Sequence, residues 1–243
     1  MSPGAIDGKP ITLNFNPQAV GVVAGPQNGG MRIDFISDIV CPWCAIGLYS
    51  LEAAAARIPG LALDLHFHPF ELNPDMGPDG QDIEEHLAHK YGASPAALAG
   101  TRQAIRERGA ELGFTFSMEA RSRIYNTRSA HRLLHWADEA FGGAVQRTLK
   151  LSLLAAYFTD GRNVSDPSVL LELATAAGLP EGEARELLAS DRYAADVAEA
   201  EAEVHAQGIH AVPAIIVNQR HLIQGGQSVE VFEKLLRQAV VEA

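Results

Sequence analysis

Cys41 and Cys44 are the only two cysteines in 243 residues, and Pro42 and Trp43 separate them. That spacing spans one helical turn, so the two sulfurs can close a disulfide with each other. Pro42 suits the first turn of a helix, where its missing N–H costs nothing. A sulfur at a helix start lies beside unpaired N–H groups and the positive end of the helix dipole, which favour a thiolate. Cys41 is therefore the candidate nucleophile and Cys44 the candidate resolving thiol. Pro42 and Trp43 adjust how strongly the surroundings favour thiolate over disulfide, and favouring the thiolate makes the disulfide more oxidising. The same pair is half of a zinc site. No second cysteine pair exists to complete one, and the histidines do not cluster at zinc-finger spacing, so no metal is expected.

Periodicity supplies the elements that must hold this pair. Arg32, Ile33, Asp34, Phe35 and Ile36 read as a strand, Ser37-Asp38 ends it, and Ala45, Leu48, Leu51, Ala55 and Ile58 recur at helical spacing until Pro59-Gly60. Leu61, Leu63, Leu65 and Phe67 then alternate with Ala62, Asp64, His66 and His68, the pattern of a half-buried strand. Strand, helix and strand with so long a connection make a parallel crossover. Helical segments follow at 83–90, 95–112, 127–141, 144–159, 168–177 and 181–207, the last broken near Asp191, with glycines as stops. Strand character returns at 214–217, turns at 218–220, and completes a hairpin at 221–224 before a last helix at 228–241. Val212-Pro213 stands immediately before that hairpin. The ends of this stretch form one mixed sheet: 31–80 and 208–243 make one domain, 81–207 an inserted helical subdomain, and 1–30 an extension, disordered or packed on a neighbour.

Composition narrows the functional classes. At 47% hydrophobic residues the chain has ample material for a core. With 19 Lys plus Arg against 30 Asp plus Glu, the net charge of −11 disfavours phosphate backbones and anionic lipid, so neither nucleic acid nor membrane is expected as a partner. Lys9 is the only positive charge before Arg32, and 19–24 is too short for the apolar part of a signal peptide. A cytoplasmic location is expected, where paired cysteines are more often catalytic, redox-sensing or metal-binding than structural.

Several motifs occur in order. Ser-Asp-Ile-Val-Cys-Pro-Trp-Cys at 37–44, Pro-Phe-Glu-Leu-Asn-Pro-Asp-Met at 69–76, Asn126-Thr127 with Ala130-His131-Arg132-Leu133-Leu134, and Val-Pro-Ala at 212–214 with Gly-Gly-Gln at 225–227 resemble the FrnE-type branch of the DsbA-like thioredoxin superfamily. The resemblance runs from about Met31 to the C-terminus. It implies an α/β thioredoxin fold with a large inserted all-helical subdomain, thiol–disulfide oxidoreductase activity, isomerase activity included, and Cys41 and Cys44 as the active pair. It also implies a cis bond at Val212-Pro213 in a loop facing that pair. Val212's backbone would pair with a bound peptide as a short strand, and Pro213 would shape the surface beside the sulfur. No tightly bound cofactor is implied beyond the redox-active disulfide. The partners are a thiol- or disulfide-containing protein or small molecule and an external thiol reductant or oxidant.

Two other functions stay open at this point. Kappa-class glutathione transferases and chromene carboxylate isomerases share the architecture but resemble this motif with serine at the first cysteine. Cys41 departs from them, yet glutathione remains a candidate co-substrate, with Gln227 and Ser228 at the start of the last helix to receive an anionic group. A redox-sensing peptide-binding module is the third reading. Asp34 lies near where thioredoxins keep a buried acid that assists proton transfer, although its spacing to Cys41 is one residue longer. His66 and His68 share a strand face, and His131 and His135 share a helix face with Asp138 nearby. Both sets read more simply as hydrogen-bonded histidines than as metal ligands.

Overall fold

The computed structural model describes residues 11–12, 30–77, 79–92 and 94–241. The first half of the thioredoxin unit comprises β2 (Met31–Ser37), α1 (Pro42–Ala56) and β3 (Leu63–Pro69), preceded by a two-residue strand, β1 (Ile11–Thr12). Its second half comprises β6 (Ala214–Val217), β7 (His221–Gln224) and α9 (Val229–Val241). The strands make a sheet in the order β1-β7-β6-β2-β3. Only β2 and β3 run parallel, from Met31 opposite Leu63 to Ser37 opposite Pro69, as the long crossover through α1 requires. The expected extension 1–30 lies outside the described residues apart from β1 and Gly30.

Alternation along the strands divides the core between the two sheet faces. Ile33 and Phe35 of β2, Ile215 and Val217 of β6 and Ile223 of β7 join the larger cluster with Leu48 and Leu51 of α1 and Phe232 and Leu236 of α9. Ile36, Ala214, Ile216 and Leu222 join Val204 and Ile209 in the smaller cluster. Burying each large aliphatic or aromatic side chain stabilises the fold by about 1.5–3 kcal/mol. Strand β6 therefore lacks the polar face that a half-exposed strand would show, whereas the second face of β2 carries Arg32 and Asp34 beside Ile36. The β6–β7 hairpin turns through Asn218 and Gln219, both at positive φ, and the Asn218 side chain accepts the Arg32 N–H at 3.2 Å.

Between β3 and β6 lies a helical block: α2 (Ile83–Tyr91), α3 (Pro95–Glu111), α4 (Arg128–Phe141), α5 (Gly143–Phe158), α6 (Pro167–Ala176), α7 (Glu181–Leu188) and α8 (Ala194–Ala206). A two-residue ladder between β4 (Gln81–Asp82) and β5 (Arg123–Ile124) ties its entry. Neither strand carries an alternating pattern long enough to read from sequence. The break near Asp191 separates α7 from α8, and its cause is buried Arg132 of α4, whose guanidinium donates to the carbonyls of Leu187, Ser190 and Arg192. A helix continued through 190 would need those carbonyls for its own ladder.

Apolar residues of α4 and α5 pack on Leu65 and Phe67 of β3, and one buried amide adds a direct tie to the strand's backbone. Gln146 of α5, 1% exposed, accepts the Phe67 N–H and donates to the Phe67 carbonyl, both at 2.9 Å. A side-chain amide thus takes the place of a neighbouring strand on the outer side of β3. Gly143 fits the same approach, since a Cβ there would stand 2.7 Å from the Leu65 carbonyl oxygen.

Candidate functional site

Cys41 is the N-cap of α1 in an extended conformation, and Pro42 occupies the first helical position. Among the described residues no side chain caps this helix, and Pro42, Trp43 and Cys44 place no carboxylate in its first turn. The space opposite the free N–H groups is thus left to the Cys41 sulfur. Cys44 follows within the same turn, its N–H donating to the Cys41 carbonyl at 3.1 Å. Both cysteines are reduced and buried, at 4% and 1% exposure, while Pro42 and Trp43 are half-buried at the surface above them. Burial first, and then the Cys41 sulfur beside it, pushes the Cys44 thiol well up. A thiol so placed holds its proton until something takes it.

The loop before β6 closes over the pair. The Val212–Pro213 peptide bond is cis, and the Cys41 thiol faces the Val212 carbonyl at 3.9 Å. The Gly225 N–H donates to the Pro213 carbonyl at 2.8 Å, which ties this loop to the turn before α9. Close packing also fixes its height over α1. A Cβ on Gly47 would meet Pro213 Cγ at 3.2 Å and Gly226 Cα at 3.3 Å, and one on Gly226 would stand 2.7 Å from the Trp43 carbonyl oxygen. No side chain fits at that second distance. On the outer side, the Arg108 guanidinium of α3 lies 5.9 Å from the Trp43 ring centre.

Gln227 and Ser228, the sequence candidates for an anionic group, sit beside this turn with local partners. Gln227 donates to the Gln224 carbonyl at 2.6 Å, and Ser228 accepts the Val231 N–H at 3.4 Å as a helix cap. Asp34, the acid whose place on the strand suggested proton transfer, is paired with a guanidinium and an imidazole. It binds Arg32 at 2.7 Å and His68 at 2.9 Å. Burial opposes its charge, but His68 and Arg32 prevail and lower its pKa to about 2. The other histidines also part company: His131 reaches Asp38, His66 lies between Asp64 and Asp138, and His135 stands near Glu139. Among the described residues no three potential ligands converge as a metal would require.

Three charged side chains that the sequence does not mark are buried within electrostatic reach of the dithiol or next to it in the chain. Asp38, fully buried, accepts the Leu72 N–H at 2.8 Å and the Val40 N–H at 3.5 Å and faces His131 Nε2 at 3.5 Å. Burial works against its charge, yet His131, the Leu72 N–H and Thr127 keep its pKa below the ordinary carboxylate value. Two cations also enter this interior. Arg121, 7% exposed, lies over the Tyr157 and Phe158 rings at 5.5 and 5.2 Å, within electrostatic reach of Cys41. Lys150 of α5 is 1% exposed and feels Cys44, Asp38 and Cys41. Their remoteness in sequence hid them. The one available signal was a lysine on an otherwise apolar helix stretch, Leu149 to Leu154, interrupted only by Lys150 and Ser152.

The family described as DSBA-like thioredoxin domain matches residues 32–237. A crystal structure of a Streptomyces coelicolor protein, described as a probable DsbA oxidoreductase, is 32% identical with a TM-score of 0.80, covering 88% of this chain and 91% of that one. The Bacillus subtilis protein YwbO is 27% identical over 209 residues, 85% of this chain and 96% of its own. The cytosolic disulfide reductase DsbM of Pseudomonas aeruginosa, solved with GSH, shares the fold at a TM-score of 0.60 and 20% identity, covering 86% of this chain and 99% of that one.

Proposed function

The chain belongs to the DSBA-like thioredoxin domain family, and from that premise we propose that it is a dithiol–disulfide oxidoreductase working through Cys41 and Cys44. The observation that carries this reading is the Cys41 sulfur at an uncapped helix start, under the Val212 carbonyl, with a second thiol one turn deeper. In the reducing direction the Cys41 thiolate attacks a substrate disulfide, expels one substrate thiolate and forms a mixed disulfide. Cys44 then attacks the Cys41 sulfur, the Cys41–Cys44 disulfide forms, and the second substrate thiolate leaves. The oxidising direction reverses these steps. Pro42 and Trp43 form the rim, and the Val212 backbone with Pro213 forms the wall against which a peptide or small disulfide lies.

An external thiol must regenerate the reduced pair, because the chain holds no other cysteine. Glutathione is the natural probe, since a protein of this fold has been solved with it. Two cysteines in 243 residues also fit a reducing, cytoplasmic setting.

The test is turnover of a disulfide substrate with glutathione as reductant, followed by mass spectrometry. Cys41→Ser is expected to abolish exchange and Cys44→Ser to accumulate the Cys41 mixed disulfide. Retained turnover in Cys41→Ser overturns the reading. Full turnover in Cys44→Ser would instead favour one-thiol chemistry of the glutathione transferase or isomerase kind.

A further inference from the structure

Helix α3 carries three arginines along its second half, and two of them are spoken for. Arg102 meets Glu84 at 2.8 Å and Arg106 meets Glu119 at 3.3 Å. Arg108, on the last turn, takes a different partner: its guanidinium lies 5.9 Å from the centre of the Trp43 ring. Among the described residues no carboxylate comes within ion-pair distance of it. The acids nearest to it along the helix do not neutralise it, since Glu107 accepts from Gln103 at 2.6 Å and Glu111 makes no ion pair among the described residues.

The surrounding packing fixes where this cation stands. Gly109 seats the end of α3 closely, because a Cβ there would stand 2.6 Å from the Phe114 carbonyl oxygen. Phe114 in turn packs on Tyr49 of α1, with ring centres 4.9 Å apart. The end of α3 is thus pinned to the helix that carries the dithiol. Trp43 lies between the two cysteines in sequence and is half-buried at the surface above them, whereas Arg108 is exposed. A guanidinium held by an aromatic face keeps its N–H donors and its charge available to a ligand. Without such a group a chain of net charge −11 meets an anionic substrate with an unfavourable overall field.

We propose that Arg108 sets charge selectivity at the dithiol by receiving a carboxylate of the substrate, so that the protein favours disulfides bearing a carboxylate a few bonds from their sulfurs. This assignment rests on the exchange reading above and deepens it. The planar fork of the guanidinium suits a carboxylate through two N–H donors. Arg108 forms no covalent bond and moves no proton; it seats the substrate while Cys41 reacts.

Three aliphatic disulfides of similar size isolate the charge: dithiodipropionate is a dianion, hydroxyethyl disulfide is neutral and cystamine is a dication. The rate constant for oxidation of the reduced protein is read from loss of free thiol, and each variant is compared with wild type on the same disulfide, which cancels the disulfides' own reactivities. In Arg108→Gln the rate with dithiodipropionate is expected to fall about fivefold, the effect of one unit charge at contact distance in water. Hydroxyethyl disulfide is expected to stay within about twofold. Arg108→Glu is expected to lower the dianion rate further and to raise the cystamine rate above that of wild type.

An equal fall with all three disulfides overturns the assignment, because Arg108 would then merely support Trp43 or the end of α3. A dianion rate that neither substitution changes overturns it as well. Arg108 is exposed at a helix end, so both variants are expected to fold; if one does not, the other is read with the same three disulfides. A wild-type protein that reacts with none of them refutes the exchange reading and this assignment together. Normal wild-type oxidation with unaffected variants removes Arg108 alone.

Discussion

At Asp34 two partners outweigh the cost of burying a carboxylate, and the balance can be read out with acid. The pKa in the fold is about 2 against an ordinary 3.8, a difference of about 2 kcal/mol in favour of the folded state at neutral pH. Because the folded value is the lower one, this stabilisation is complete above the unfolded pKa and is lost as pH falls through the folded value. Asp34→Asn is expected to unfold about 2 kcal/mol more easily at pH 7, with the gap to wild type closing between about pH 4 and pH 2. Denaturant melts of both proteins across that range check it, and a gap that persists at the acid end refutes it. Asp34 also marks a limit of reading from sequence. Its place on the strand was legible, but its partners were not: Arg32 is adjacent on the same face, whereas His68 arrives only through the parallel register of β3.

The elements themselves were largely legible, because each declares itself locally. Pro42 opens α1, and the β6–β7 hairpin falls on the expected 214–217 and 221–224. What stayed hidden depends on approach between elements. Gly47 looks like any small helical residue until Pro213 and Gly226 are found against it. A methyl at this position must displace one of the two by a few tenths of an ångström. Gly47→Ala is expected to cost about 1–3 kcal/mol through overpacking. Because the yielding groups form the wall over Cys41, disulfide exchange is expected to fall about tenfold, more than the stability loss would imply. Comparing kcat/KM with the denaturation midpoint tests this, and a variant that loses stability but exchanges normally contradicts it.

Across the whole molecule Asp38 is the junction. It leaves β2 at the threshold of Cys41, and its carboxylate gathers Leu72 from after β3 and His131 from α4. The motifs at 37–44, 69–76 and 126–134 thus converge on one buried side chain, which explains why they occur together. Asp38→Ala leaves the Leu72 N–H and His131 buried without their partner and is expected to cost about 3–5 kcal/mol. Hydrogen exchange is expected to speed up at Leu72 and at the start of α4 while the β6–β7 hairpin stays protected. Uniform loss of protection would instead mean that Asp38 merely stabilises the whole. The net charge of −11, legible from the outset, says nothing of this interior, where the basic side chains of Lys150 and Arg121 are buried within electrostatic reach of the dithiol. The Gln146 amide on Phe67 has a further consequence. An open outer strand invites pairing with another chain and growth into fibres. With the backbone N–H and C=O of Phe67 occupied by a side chain of the same molecule, β3 offers an incoming strand an interrupted template. Gln146 thereby breaks the row of free backbone groups along which a second chain would have to pair.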